Sequence, residues 1–197
     1  MNGEHITLSC GTGKQGSYLL FIRLDKPLQL TFGHFLKGRP LFLEAGSYLY
    51  AGSALGKQAG GYPLARRLLR HTARTGRKKP HAIRKILLSV LREKGLAPER
   101  LLKPAEKKLH WHIDYLLDRP EAALVHILII QSPEKLEPAL ARFIETAPET
   151  SIPAKMLGAQ DTKAGTHLLS CSDPAALLGR LRAELPHLVT ETASHAD

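Results

Sequence analysis

The chain has 197 residues, 43% hydrophobic and 23% charged, a balance that excludes global disorder and lets one domain bury a core without disulfide or metal staples. Lys and Arg number 28 against 18 Asp and Glu, and the formal charge of +10 points to a polyanionic partner. No window approaches the roughly 18 apolar residues of a membrane span, and Cys10 and Cys171, far apart with no CxxC, argue against a zinc ribbon or a disulfide framework.

Met1–Leu8 lacks the basic and apolar regions of a secretion signal, so a reducing cytoplasm is the expected compartment. Ser17–Leu24 is apolar at nearly every position, as in a strand covered on both faces. Leu28–Phe32 and Leu41–Leu43 read as short strands, and Gly46–Ala51 as a longer one closed by Gly52. The period then changes. Pro63 suits a first helical position, and Leu64, Ala65, Leu68, Leu69 and Thr72 share one helical arc. Arg66, Arg67, Arg70, His71 and Arg74 fill the opposite arc. Thr75–Pro80 is a basic loop, and Ile83, Ile86, Leu87, Val90 and Leu91 mark a second helix ending near Gly95. Leu96–Lys108 is irregular or briefly helical. A short helix is expected at His112–Leu117, a strand at Ala122–Ile130, a helix at Leu136–Ile144 and a last strand at Thr166–Ser170. Ala147–Lys163 reads as loop. Asp173–Pro174 is a helix start, with Asp as cap and Pro in the first turn. Beyond Pro186 the polar tail is expected to be mobile. These elements predict an α+β fold forming one domain over 1–185, with a basic helical insertion at about 76–108 and a tail at 186–197.

No acidic residue lies between Glu44 and Glu93, a span that holds Lys57, Arg66, Arg67, Arg70, Arg74, Arg77, Lys78, Lys79, Arg84, Lys85 and Arg92. Such a block predicts attraction to nucleic acid, against the plainer reading of a solvated basic face. Arg66, Arg70 and Arg74, pointing away from the apolar arc, and Arg77, Lys78 and Lys79 of the loop are the candidates for backbone contact. Arg67 and His71, four residues apart, share a helix face.

Gly16–Tyr18, Tyr48–Ala54 (Y-L-Y-A-G-S-A), Arg67 with His71, His110–Leu117 (H-W-H-I-D-Y-L-L), and Gly158–Asp161 with His167–Leu168 form a series. Together they resemble the GIY-YIG nuclease superfamily, in its divergent branch of prokaryotic proteins, some fused to endonuclease III. The resemblance runs from about Gly16 to Leu169. It implies a small central antiparallel sheet flanked by helices, and metal-dependent cleavage of phosphodiesters with Mg²⁺ or Mn²⁺. The catalytic set it implies is Tyr18, Tyr50, Arg67 and His71, with Glu137 as metal ligand and Glu134 as the second choice. The chain departs from the pattern in reading Tyr-Ala-Gly, and in a long Tyr18–Tyr50 spacing that implies an inserted hairpin.

The residue types suit the chemistry. A guanidinium pairs the non-bridging phosphate oxygens on which charge builds. A hard cation needs a carboxylate, water and substrate oxygens. The tyrosines also read as core residues of their strands. Glu137, before Pro138, also reads as a helix N-cap or first-turn carboxylate. His110, His112 and Asp114 suit either metal binding or a packed loop around Trp111. Asp161 and His167 carry no role, and Cys171 is expected to be buried. Two further partners stay open: nucleic acid held without catalysis, and an acidic protein.

Overall fold

In chain order the strands β1 (Ile6–Ser9), β2 (Gly16–Leu24), β3 (Leu28–Leu30), β4 (Leu41–Leu43) and β5 (Gly46–Ala54) come first. Four helices follow: α1 (Pro63–Thr72), α2 (Arg84–Glu93), α3 (Glu99–Leu102) and α4 (His112–Leu117). Then come β6 (Ala122–Gln131), α5 (Glu137–Thr146), β7 (Thr150–Ser151), β8 (Leu168–Cys171) and α6 (Pro174–Ser194). The computed structural model describes residues 5–9, 11–56, 61–103, 106–158 and 165–194, and only the backbone of 191–194. The fold is α+β, with a six-stranded sheet in the order β1-β6-β2-β5-β8-β7 and a separate β3-β4 hairpin between β2 and β5.

The unbroken apolar run of β2 follows from its place. It pairs antiparallel with both β5 and β6 and has helices on both faces. Tyr18, Leu20, Ile22 and Leu24 face one core, shared with α1, α2 and α4. Leu19 and Phe21 face the other, shared with α5 and α6. Beside Phe21 the register against β6 slips by one residue and leaves Val125 at 38% exposure within a buried strand.

Four features depart from the sequence reading. The sheet is not wholly antiparallel, because the edge strand β1 runs parallel to β6. β5 continues through Gly52 to Ala54, since Gly16↔Ala54 pairing with β2 carries it on. β7 lies inside the stretch read as loop. Finally, α6 passes through Pro186 to Ser194. The cost of an internal proline is opposed there by Leu185, buried in the second core, and by Leu188 and Val189 packed against it. At its start Asp173 caps as expected, its Oδ1 accepting from the amides of Ala175 and Ala176 at 3.1 and 3.0 Å.

Candidate active site

β8 pairs with β5 only as far as Tyr50. Beyond that point the end of β5 borders a cleft of about 250 Å³. Tyr18 from β2, Tyr50 and Ser53 from β5, Arg67 from α1 and Glu137 from the first residue of α5 all line it. Trp111, Lys135, Gly158 and His167 complete the walls, with Leu55 at the rim. Tyr18 and Tyr50 lie on neighbouring strands and face the same core, toward α1. They are core residues as well, at 1% and 5% exposure. Gly52 stands opposite Tyr18 because a Cβ there would lie 2.5 Å from the phenol oxygen. Gly158, with φ +89°, turns the chain beneath Tyr50 and His167.

His71 is the main departure on α1. A helical wheel places it at the boundary of the basic arc; in the fold it is fully buried beneath the two tyrosines. Burial first, then the charges of Lys107, Arg67 and Arg70, push its pKa down to about 3, against the opposing pull of Asp114. The ring is therefore neutral. The Tyr18 hydroxyl and His71 Nε2 share a hydrogen bond at 2.8 Å, and the other ring nitrogen, Nδ1, lies 3.9 Å from Asp114 Oδ1. Burial and the neighbouring Tyr50 push the Tyr18 phenol well above its ordinary value, and Arg67 opposes them.

Asp114 is the hub of the H-W-H-I-D segment. Buried completely, it accepts from Arg70 at 2.6 Å and from the amides of His110 and Trp111 at 3.1 and 3.0 Å. Lys107 Nζ lies 3.4 Å from its other oxygen and donates to Ala73 O at 3.0 Å. Burial alone would raise the Asp114 carboxyl; the cations Lys107 and Arg70 hold it low instead. The segment is thus packed and hydrogen-bonded, with Trp111 as the cap residue from which it runs into α4. His112 Nδ1 accepts from the Gly158 amide at 3.2 Å, and His110 meets Trp111 edge-on at 4.7 Å.

The basic block divides in two. Arg74 donates to the carbonyls of Leu117, Lys79 and Ala122 at 3.2, 3.0 and 2.6 Å. Arg70 is tied to Asp114 and to Lys108 O, and Lys78 pairs with Asp118. Arg70 and Arg74 thus serve the fold, whereas Lys78 stays 49% exposed beside Asp118; the acid-free run finds its carboxylates on later segments, Asp114 and Asp118 at α4 and Glu99, the partner of Arg92, on α3. Arg66, Arg77 and Lys79 are exposed, and their side chains have no hydrogen bond or ion pair among the described residues. Arg67 is half-buried, its guanidinium 4.5 Å above the Trp111 ring.

Of the two candidate carboxylates, Glu137 lines the cleft and Glu134 does not. Two partners went unassigned in the sequence. Ser53 Oγ donates to Glu137 Oε2, and His167 Nδ1 lies 3.0 Å from Oε1. Burial works to raise the Glu137 carboxyl, but these partners outweigh it and hold it below its ordinary value. Ser53 and His167 both sit in motifs that flagged them, Y-x-G-S-A and the late H-L, yet neither motif names a partner. Among the described residues no group of three or more His, Cys, Asp or Glu is placed to hold a metal ion. Asp161 lies outside the described residues. Cys171 is buried, and burial pushes its thiol up. No helix among the described residues is long and apolar enough to cross a membrane.

Residues 17–189 match the family described as domain of unknown function DUF123, and the chain belongs to that family. No curated protein and no solved structure matches it.

Proposed function

We propose that this chain binds nucleic acid and hydrolyses phosphodiester bonds in the manner of the GIY-YIG nucleases, with one divalent cation, Mg²⁺ or Mn²⁺. One observation carries the reading: Tyr18, Tyr50, Arg67 and Glu137, from four separate elements, converge on one cleft. Arg67, half-buried and without a carboxylate partner among the described residues, pairs the non-bridging oxygens as charge builds on them. Tyr18 and Tyr50 orient the attacking water. His71, hydrogen-bonded to the Tyr18 phenol, fixes the phenol at the cleft wall. Glu137 fits a hard cation: the carboxylate is held ionised, and Ser53 and His167 use only two of its roughly four lone-pair sites. Such an ion supplies positive charge to the phosphate and lowers the pKa of water bound to it.

A second reading, a binding module without catalysis, is favoured by the engagement of both Glu137 oxygens and by the burial of Tyr18. A nicking assay on supercoiled, branched and single-stranded substrates with Mg²⁺ or Mn²⁺ separates the two. Cleavage by the wild type that is lost in Glu137→Ala supports the nuclease. Salt-sensitive binding with no cleavage on any substrate supports the module. Failure of DNA to displace an acidic protein from the basic face would count against both.

A further inference from the structure

The cleft does not end at Arg67. Leu55, Arg67 and Trp111 also line a second, more open groove of about 370 Å³, walled further by Ala54, Pro63, Arg66, Arg70 and His110. The two cavities thus meet across the pair formed by Arg67 and the half-buried Trp111 ring. At the join Leu55 leaves a large apolar side chain 40% exposed. The second groove combines this apolar wall with Arg66, whose exposed guanidinium has no hydrogen-bond or ion-pair partner among the described residues.

Those two properties select a ligand. A duplex offers such a groove phosphates and sugars, because its bases are stacked inside. An unpaired nucleotide offers a flat apolar base for Leu55, Pro63 and Trp111, and a phosphate for Arg66. Arg67 spans both cavities, so a phosphate held by it in the cleft has its neighbouring nucleotide beside Trp111. We propose that the second groove seats an unpaired nucleotide adjacent to the phosphate in the cleft, which makes the ligand single-stranded or locally unpaired nucleic acid. The inference rests on the phosphodiester reading of the cleft.

Trp111 is the only tryptophan in the chain, so its emission reports occupancy directly. The probes are a short oligo-dT and an abasic oligomer with the same number of phosphates. The full chain is expected to bind oligo-dT roughly tenfold more tightly than the abasic probe, with a change in Trp111 emission. Trp111→Ala should narrow that ratio to within about twofold, and Trp111→Phe should retain most of it, which guards against simple misfolding. Arg66→Ala should weaken both probes alike. Equal wild-type affinity for the two probes, or a ratio unchanged in Trp111→Ala, would overturn the inference. If the protein nicks duplex yet binds both probes alike, the groove inference falls while the cleavage reading stands. If neither probe binds and nothing is cleaved, both fall.

Discussion

Asp114→Ala removes the only carboxylate within ion-pair distance of the buried Lys107 ammonium among the described residues. It also takes one acceptor from the Arg70 guanidinium, which keeps Lys108 O, and strips the amides of His110 and Trp111 of theirs. Arg70 keeps 28% side-chain exposure and regains water, whereas Lys107 keeps 1% and does not. A buried pair broken from one side costs about 3–5 kcal/mol. For a chain of this size that corresponds to a fall in Tm of roughly 6–20 °C. Asp114→Asn retains the shape but not the charge, and about 1.5–3 kcal/mol is expected. Adding Lys107→Met to Asp114→Ala should recover about 1–3 kcal/mol as coupling. Urea unfolding at pH 7 of wild type, Asp114→Ala, Asp114→Asn, Lys107→Met and the double variant measures these differences. Asp114 is held below its ordinary pKa, so its contribution is full above pH 4 and is lost as pH falls through the folded value. The gap between wild type and Asp114→Asn should therefore shrink in acid. A loss below about 1 kcal/mol for Asp114→Ala would refute the hub, since that is no more than an exposed pair contributes.

Gly52→Ala would place a methyl 2.5 Å from the Tyr18 phenol, and should cost about 1–3 kcal/mol in urea unfolding as the ring is displaced; wild-type stability would show that the ring is not packed there. Buried His71 and His81, pushed down to about 3 and about 4, stay neutral in the fold while the unfolded chain protonates them near 6.5. Stability should therefore fall as pH drops from 6.5 to 5, with a slope approaching two protons, or about 2.7 kcal/mol per pH unit. His81→Asn should halve that slope, and a flat profile would mean that neither ring is buried neutral. Arg74→Ala should cost at least about 2 kcal/mol, because its three carbonyl acceptors lose a charged donor. Arg77→Ala and Lys79→Ala should each leave stability within about 0.5 kcal/mol of wild type. Each should also reduce the log–log salt slope of duplex binding by about 0.9, and unchanged slopes would remove the loop from the interface.

The periodic signals carried the scaffold. Alternation and unbroken apolar runs marked β2 and β5, the two-arc wheel marked α1, and Asp173–Pro174 marked the start of α6. Short elements escaped for want of length. Four residues of β1, half-buried at an edge, give too brief an alternation to distinguish a strand, and its parallel pairing depends on β6, more than a hundred residues later. The His71 wheel position treated α1 as an isolated rod, whereas Tyr18, Tyr50 and Asp114 close over that side. Charge counting saw the basic block but not the remote carboxylates Asp114 and Asp118, which take up Arg70 and Lys78. At the cleft, the motif blocks named the tyrosines and Arg67, while Glu137, outside every block, came from the resemblance alone with Glu134 as second choice. The grip of Ser53 and His167 on Glu137 joins residues 84 and 30 positions away, which no local pattern encodes.

The most direct test of the proposed chemistry is the cleavage kinetics of Arg67→Ala beside wild type, on the best nicked substrate with saturating Mg²⁺. Arg67 is read as acting on charge that develops in the transition state, and its side chain carries no hydrogen bond of the fold among the described residues. The substitution should therefore lower kcat about 10²–10³-fold with KM little changed and unfolding stability near wild type. Cleavage at the wild-type rate, or a loss confined to KM, would contradict an active site built around this cleft.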